Sequence, residues 1–395
     1  MKKTIAFSIL FVLIASIFLF GCAETKPKQE TIKIVTGFPM RGITVGQGIV
    51  NGIKLALEEV NYTVGNFKIE LVVEDDGDET GSWKEDLERG IAERAVSDPD
   101  VMLYLGTYNS GAAKISIPIN NKGGLVQISP GNTWPGLTQA GFLPGEPGIF
   151  YPTGIRNYFR VNPTDALQGP AGVVWAKELG CKNIYIFDDG EAFGTGIANI
   201  IQQKASEIGV EVLGRKTLDK TKVNEELAAI KDLHPNAIYF AGITPNGAPE
   251  LVKGIKELGM DSKFIGPDGI MEQAFIDQSE GAAEGVYITV VGIPPKELTG
   301  KGKEFYDRYK QRYNLEPESF STFGYESAKV ALLAIEKAGV KDRAKILEEV
   351  SKTKDFSGLF GTWSFDQNGD TSLNFVSGNI VENGTFVFKK ILQTK

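Results

Sequence analysis

Two hydrophobic periods alternate along the chain from Thr31 onward. Short runs rich in β-branched and aromatic residues have the pattern of buried strands, and the segments between them carry apolar residues at helical spacing. The nine strand-like runs are TIKIVTGF, KIELVVED, VMLYLG, GLVQIS, NYFRV, NIYIFDD, AIYFAG, KFIGPD and GVYITVVG. The helical segments are GQGIVNGIKLALEEV, SWKEDLERGIAERAVS, ALQGPAGVVWAKELG, GIANIIQQKASEIG and APELVKGIKELG. This alternation predicts parallel, doubly wound sheets with helices on both faces, and nine strands favour two α/β lobes over one.

The pattern changes at two further places. Two longer helical segments, GKGKEFYDRYKQRY and STFGYESAKVALLAIEKAG, precede a region with hairpin character, where turns are predicted at Asn368-Gly369 and Asn383-Gly384. Earlier in the chain, a Gly- and Pro-rich stretch at residues 132–157 interrupts the alternation. Because a connection of that length without secondary structure is uncommon, we interpret it as a functional flap.

The first 22 residues have the pattern of a secretory signal peptide. A basic MKK start is followed by an apolar run from Thr4 to Phe20, and the segment ends in LFGC. This ending resembles a bacterial lipobox, which implies that Cys22 is lipidated and becomes the mature N-terminus. Residues 23–30 are polar and are expected to form a flexible tether. Two or more acyl chains would hold the protein stably at a membrane surface.

The amino-acid composition argues against some classes of function for this protein. The 395-residue chain has a formal net charge of −8 and a pI of about 5.1, so it lacks the basic character that binding to nucleic acid requires. The chain has two cysteines, and once Cys22 is lipidated only Cys181 remains. No intramolecular disulfide is therefore expected, and we interpret Cys181 as a buried thiol that fills a small gap.

The sequence contains few residue patterns that would indicate an enzyme. The one histidine, His234, lies in the turn-like sequence LHPN, where an exposed position is expected. The sequence contains no GxSxG elbow, HExxH pair, P-loop, or GxGxxG after a strand. An enzyme is therefore not expected, although a hydrolase with an unmarked carboxylate pair stays open as an alternative.

Polar residues follow several predicted strands, at the edge where open α/β sheets bind ligands. In GTYNSGAA the strand ends at Gly106 and a helix is predicted from about Ser110, whose hydroxyl and helix-start N–H groups suit a carboxylate. The alternative is that Asn109 or Ser110 only caps the helix. The next junction, ISPGNTWPG, offers similar groups at Gly131 and Thr133, and a plain loop is the alternative there.

Acidic residues follow other strands. In FIGPDG, Asp268 can pair with a ligand cation, or it can be a simple turn residue before glycine. The acids Asp188, Asp189 and Glu191 of IFDDGEAFG are interpreted as helix caps, because their spacing does not match a calcium loop. FDQNGD also resembles a calcium loop, but Ser377 stands where such a loop has its closing glutamate, so we predict a hairpin turn. No metal site is expected.

Taken together, these motifs resemble the extracytoplasmic solute-binding proteins of branched-chain amino acid ABC transporters, the type I periplasmic binding proteins. The resemblance covers roughly Thr31 to Phe388 and depends on the order of the motifs more than on any one of them. The motifs are GQGIVNGIKLALEEVN, IELVVEDDGD, GTYNSGAA, ISPGNT, LQGP, DDGEAFGTGIA, YFAGITPNGAPELVKGIKELGM, FIGPDG, AAEGVYIT, TFGYESAKVALLAIEKA and FDQNGD.

The resemblance implies two Rossmann-like lobes with parallel, doubly wound sheets, joined by three crossovers and closing on the ligand about a hinge. The expected N-terminal lobe comprises residues 31–161 and 297–362, and the C-terminal lobe comprises residues 165–291 and 373–390. The hinge crossovers are expected near residues 161–164, 292–296 and 362–372.

The resemblance also assigns candidate binding residues. It implies that Ser110, Gly131 and Thr133 hold the carboxylate of an amino acid, and that Asp268, where the family often has glutamate, takes the ammonium group. The positions that match the family's side-chain pocket, together with one aromatic residue of the long loop, are Val45, Trp134, Phe193, Ile243 and Tyr325. Because smaller groups stand at Val45 and Ile243, where the family often has rings, Trp134 or Tyr151 is expected to refill the pocket. The disulfide pair usual in the family corresponds to Gly77 and Asn109, so this chain lacks it.

The function that the resemblance implies is capture of a branched-chain or related apolar or aromatic amino acid and its delivery to an ABC permease. The expected protein is a monomer without a cofactor, anchored by its lipid outside the cytoplasmic membrane. The alternative within the same fold is a ligand-sensing receptor module that binds a small amide or carboxylate.

Overall fold

The computed structural model describes residues 29–394. The predicted signal peptide, the lipidation at Cys22 and nearly all of the tether lie outside the described residues. The strands are β1 (Glu30–Phe38), β2 (Thr63–Val64), β3 (Phe67–Asp75), β4 (Val101–Gly106), β5 (Val126–Ser129), β6 (Tyr158–Arg160), β7 (Asn183–Asp188), β8 (Glu211–Thr217), β9 (Ala237–Ala241), β10 (Lys263–Gly266), β11 (Tyr287–Val291), β12 (Phe356–Gly358), β13 (Gly361–Trp363), β14 (Val376–Glu382) and β15 (Thr385–Ile391).

Helices fill the connections between most of these strands. They are α1 (Val45–Glu59), α2 (Glu85–Ser97), α3 (Ser110–Lys122), α4 (Asp165–Glu178), α5 (Ala192–Ile208), α6 (Val223–Lys231), α7 (Ala248–Glu257), α8 (Gln273–Gln278), α9 (Lys301–Tyr313), α10 (Ser319–Ala338) and α11 (Arg343–Ser351). Among residues 29–394, no helix has both the length and the apolar character that crossing a bilayer requires.

The strands form two large sheets and one small hairpin. The first large sheet has the order β2-β3-β1-β4-β5-β6, and the second has the order β15-β14-β11-β10-β9-β7-β8. Pairing is parallel from β1 through β4 and β5 to β6, and again from β8 through β7, β9 and β10 to β11. The strands β14 and β15 extend the second sheet in antiparallel pairing. The predicted α/β class with doubly wound parallel sheets is therefore confirmed.

Each large sheet has its own apolar core. Residues of β1, α1, β4, β5, α10 and α11 make one continuous core around the first sheet, with Ile34, Ile49 and Phe323 fully buried. The second sheet is covered by separate cores on its two faces, because α6, α7 and α8 pack on one face and α5 packs on the other. The buried thiol of Cys181 lies in one of these cores, as predicted.

Each large sheet and the helices packed on it form one layer, and the chain passes between the two layers three times. It leaves the first sheet after β6, returns after β11 to α9, α10 and α11, which pack with α1 and the first sheet, and leaves again after β13 for β14. The hairpin turn predicted at Asn383-Gly384 joins β14 to β15. The exact lobe boundaries stay a prediction.

A buried ion pair joins the end of β6 to the third crossing. The Arg160 side chain has no exposed surface, and its Nε donates to Asp370 Oδ1 at 2.6 Å. Its Nη1 donates to the carbonyl of Trp134 at 2.7 Å, and it also contacts the hydroxyl of Thr138. Asp370 in turn accepts from the side chain of Gln139 at 2.7 Å. The start of the long loop at residues 132–157 is therefore fixed by charge-assisted hydrogen bonds.

Removing the cation of this pair should destabilise the whole protein. In Arg160→Met, Asp370 keeps its negative charge in a buried site without a counter-charge, so we expect the free energy of unfolding to fall by about 3–5 kcal/mol. Urea denaturation of the two proteins measures this change. The control is Lys303→Ala, which removes an exposed pair with Asp307 and should cost about 0.5 kcal/mol or less. A similar loss in both variants would contradict the structural role of Arg160.

Candidate ligand-binding site

The carboxyl ends of strands from both sheets meet at one cavity. Its space, including the part open to solvent, is about 260 Å³. The lining residues come from the loops after β4, β5, β9 and β10 and from the starts of α3, α5 and α10, and they are Tyr108, Asn109, Ser110, Gly131, Thr133, Phe193, Ile243, Asp268, Gly269 and Phe320. Six of the nine predicted binding residues are thus brought together.

Ser110 is the first residue of α3, as the sequence predicted. Its Oγ accepts a hydrogen bond from the backbone N–H of Trp134 at 3.2 Å, which leaves the hydroxyl hydrogen available to a ligand. The first N–H groups of a helix have no partner within the helix, so they add donors at the same place. The preceding residue, Asn109, makes no side-chain capping bond. These groups form an anion-binding arrangement at the start of α3.

The neighbouring loop supplies Thr133 and Gly131. Thr133 is buried and its carbonyl accepts from the backbone N–H of Asp165 at 2.9 Å, so this loop is tied to the start of α4. The N–H of Gly131 donates to the Oγ of Ser129 at 3.1 Å. That N–H therefore already has a partner, and the backbone contact of Gly131 with a ligand carboxylate stays a prediction. A Cβ at Gly131 would lie 2.9 Å from the ring of Tyr108, so the absence of a side chain permits close packing there.

Asp268 stands on the opposite wall, after β10. Its side chain is 4% exposed, its Oδ2 accepts no hydrogen bond within the described residues, and burial raises its pKa to about 7. Asp165, which is fully buried, has both carboxyl oxygens without a donor in the same described region. Burial and the nearby charge of Asp268 raise the pKa of Asp165 as well. Two adjacent carboxyl groups thus lack a cation, which an ammonium group would supply.

Apolar side chains close the rest of the cavity. Phe193 and Ile243 line it as predicted, and both are nearly buried. Tyr108 and Phe320, which the sequence prediction missed, meet edge to face with ring centroids 5.2 Å apart. Tyr108 lies two residues before Ser110 in GTYNSGAA, so its position after the strand could have predicted it as a lining residue. The pocket therefore suits a ligand with a polar end and a compact apolar end.

Three predicted pocket residues lie elsewhere. Val45 packs in the core of the first sheet, and Tyr325 lines a different surface pocket, where its hydroxyl donates to Glu59 at 2.7 Å. Tyr325 and Phe320 are five residues apart on α10, which separates them by about 140° around the helix, so only one of them can face the cavity. Trp134 is turned away from the cavity, and its Nε1 donates to Glu146 at 2.9 Å. The predicted pocket is corrected at these positions.

The long loop is well packed around two aromatic residues. Trp134 lies against α5, where a Cβ at Gly196 would come within 2.3 Å of the indole. Tyr151 donates its hydroxyl to the carbonyl of Leu137 at 2.8 Å, so it does not refill the ligand cavity either. Glu146, which accepts from Trp134, also pairs with Lys114 of α3 at 2.8 Å. The loop therefore supports the cavity from behind.

The other acidic motifs have internal partners. Asp189 accepts from the N–H of Glu191 at 3.0 Å and from Asn246 at 3.0 Å, and burial raises its pKa to about 6. In FDQNGD, Asp366 accepts from the N–H groups of Asn368 and Asp370, which is the geometry of the predicted turn. Within residues 29–394, no group of three or more His, Cys, Asp or Glu side chains is arranged to hold a metal ion.

Comparisons with known proteins agree with this architecture. The family model described as "Periplasmic binding protein" matches residues 31–376. A leucine-, isoleucine-, valine-, threonine- and alanine-binding protein of Pseudomonas aeruginosa is 27% identical over 369 residues, which cover 91% of this chain and 92% of that protein. A leucine-binding protein, LivK, of Thermotoga maritima has a TM-score of 0.81 and 29% identity, with 91% of this chain and 98% of that chain covered.

A more distant structure shares the fold alone. A solute-binding protein of an ABC transporter from R. palustris, solved in complex with benzoate, has a TM-score of 0.76 and 17% identity, with 91% and 96% of the two chains covered. The same architecture therefore surrounds a ligand that has a carboxylate but no ammonium group.

The protonation of Asp268 should make the ligand-free protein less stable at higher pH. In the unfolded chain, Asp268 ionises near pH 4, whereas the folded protein holds the proton up to about pH 7. The folded state binds the proton more tightly between these values, so the free energy of unfolding falls as the pH rises through this window. Asp268→Asn removes this titration. Between about pH 5 and about pH 8, the free energy of unfolding of Asp268→Asn should therefore rise by about 1 kcal/mol or more relative to that of the wild-type protein.

Urea denaturation at the two pH values measures this difference. Asp307→Asn is the matched control, because Asp307 is exposed on α9, a helix that does not line this cavity. An equal pH dependence in the wild-type protein and in Asp268→Asn would show that Asp268 is not protonated in the folded state.

Proposed function

The chain belongs to the periplasmic binding protein family, and from this we propose that it captures a small amino acid between two lobes for an ABC importer. The observation that carries the proposal is the pairing of Ser110 and Asp268 across one cavity. An anion-binding helix start comes from the layer of the first sheet, and an uncompensated carboxyl group comes from the layer of the second sheet. A zwitterion is the ligand class that satisfies both.

The two ends of an amino acid would have different partners. The carboxylate accepts hydrogen bonds from the Ser110 hydroxyl, from the N–H groups at the start of α3, and from Thr133. The ammonium group faces Asp268, with Asp165 as a second acceptor that sequence reasoning missed. Its arrival favours the ionised form of Asp268, so binding releases a proton at pH values below about 7.

The side-chain end of the cavity favours a compact apolar group. Phe193, Ile243 and Phe320 surround this end, and the cavity of about 260 Å³ leaves little space beyond the amino acid backbone and a short side chain. A branched-chain amino acid fits this description. Relatives that bind leucine, isoleucine and valine support the same choice.

Closure would couple ligand capture to transport. Because the two charged ends are recognised by different layers, both are engaged only when the lobes close about the crossings near residues 161–164, 292–296 and 362–372. The closed form is then the one that the permease recognises. Lipidation of Cys22 would keep the protein close to its permease on the outer side of the cytoplasmic membrane.

A second candidate ligand is a small carboxylate or amide. The pKa of Asp268 is raised to about 7, so near neutral pH this group can be uncharged and can donate a hydrogen bond. The benzoate complex of a protein with this fold supports such a ligand. In that case Asp268 would act as a neutral hydrogen-bonding group, and no ammonium would be needed.

A thermal-shift screen of residues 23–395 separates the two candidates. A ligand that binds only the folded state raises its stability by about 4 kcal/mol at a thousandfold excess over Kd. We expect a shift with leucine, isoleucine or valine, and loss of the shift when the amino acid is N-acetylated or converted to its methyl ester. A shift with benzoate or small amides alone would favour the second candidate.

Two variants test the roles of the paired groups. Ser110→Ala should weaken amino acid binding by roughly tenfold or more, and Asp268→Ala should abolish it, because each removes a charge-assisted contact. Isothermal titration calorimetry measures both. Tyr325→Phe is the control, since Tyr325 lies outside the cavity. Unchanged affinity in the first two variants would refute the proposed amino acid site.

A further inference from the structure

A second and larger cavity lies between the layers of the two sheets. Its space, including the part open to solvent, is about 1710 Å³, compared with about 260 Å³ for the ligand cavity. One wall comes from α1, α9 and the segment before α10, which pack with the first sheet. The other comes from the segment before α8 and from the β14-β15 hairpin, which belong to the second sheet. The two cavities are near each other on α10, because Phe320 lines the smaller one and the preceding residue, Ser319, lines the larger one.

The surface of this cavity is mainly apolar. Side chains that contribute carbon atoms come from both layers and include Ile43, Met271, Pro294, Tyr309 and Phe386. Such walls favour a ligand that has an apolar body.

Two glutamates from opposite layers are the main charged groups of the interior. Glu272, just before α8, is 4% exposed, and its Oε2 accepts no hydrogen bond within the described residues. Glu318, just before α10, accepts from the hydroxyl of Thr44 at 2.6 Å, but its Oε2 is buried without a donor in that same region. Burial and mutual repulsion raise the pKa of Glu272 to about 8, and burial raises that of Glu318.

The basic side chains nearby do not neutralise these acids. Lys296 lines the cavity, yet its Nζ lies 3.4 Å from the carbonyl of Phe386, and no ion pair to Glu272 or Glu318 is formed within residues 29–394. Lys310 pairs instead with the exposed Glu316 at 3.0 Å. Among residues 29–394, the two carboxyl groups therefore keep free acceptor atoms and form no ion pair, although Lys296 lines the same cavity.

We propose that this second cavity binds a small organic cation, an amine or a guanidinium group on an apolar body, which bridges Glu272 and Glu318. The cationic end donates to the free carboxyl oxygens, and the body packs on the apolar walls. Because the two glutamates belong to opposite layers, the cation holds those layers together and removes the repulsion between their charges. Glu272 and Glu318 lie outside the lining of the proposed amino acid site.

The cation can come from two sources. It is either a separate amine or the distal group of a long basic amino acid whose other end reaches the first cavity. Phenethylamine represents the first source and L-arginine the second. Titration calorimetry of residues 23–395 with each compound, and with 2-phenylethanol as the uncharged match of phenethylamine, tests both. We expect saturable binding of phenethylamine and none of 2-phenylethanol at the same concentrations.

Charge-neutral variants locate the bound cation. Glu272→Gln and Glu318→Gln should each weaken phenethylamine binding by roughly tenfold or more, because each removes one charged acceptor. Glu336→Gln, at an exposed position of α10 outside the lining of both cavities, is the matched control and should have little effect. Asp268→Asn should also have little effect on phenethylamine, whereas it should weaken L-arginine if that molecule spans both cavities. Unchanged melting temperatures exclude misfolding as the cause.

Several results would overturn the proposal. These are the absence of saturable binding of both phenethylamine and L-arginine, equal binding of phenethylamine and 2-phenylethanol, or loss of amine binding in Asp268→Asn without loss in Glu272→Gln and Glu318→Gln. The last result would place the amine in the first cavity. Failure of leucine to bind would contradict only the proposed amino acid function, so the two proposals fail independently.

Discussion

The buried pair between Arg160 and Asp370 positions the loop on which one half of the ligand cavity depends. Arg160 ends β6 and contacts the carbonyls of the segment that follows Thr133, while Asp370 lies on the third crossing between the layers. A fully buried charge is tolerated only with a partner and with its hydrogen bonds satisfied, so these contacts allow little freedom. The same interaction therefore holds the start of the long loop and the third crossing in a fixed relation.

Both cavities between the layers present acids that lack a counter-charge. At the smaller cavity this is Asp268, with Asp165 buried near it, and at the larger they are Glu272 and Glu318. Each acid can hold a proton or a bound cation but gains little from both, so proton release and cation binding are linked. The acidic overall composition, with a net charge of −8, adds a long-range attraction for cationic groups. Selectivity then comes from the shape and apolar character of each cavity.

Much of the fold could be predicted from periodicity, because buried parallel strands are continuous apolar runs. The strand β8 was missed, since it is a half-exposed edge strand with Arg215 and Lys216 in its sequence. Ser110 and Asp268 line the cavity as the sequence predicts, because each lies just beyond the end of a strand. Phe320 was missed in favour of Tyr325, since only the rotation of α10 decides which aromatic faces the cavity. No local pattern could reveal the Arg160 pair, whose members are 210 residues apart.

The threefold passage of the chain between the layers also constrains how the protein folds during synthesis. The strand β11 pairs on one side with β14, which is made only near the end of the chain, and the core of the first sheet needs α10 and α11. When the first two-thirds of the sequence have left the ribosome, neither layer yet has all of its strands and helices. This chain therefore cannot fold one whole domain before the next, in contrast to proteins whose domains are contiguous in sequence. Its native state forms only after the last strands have emerged.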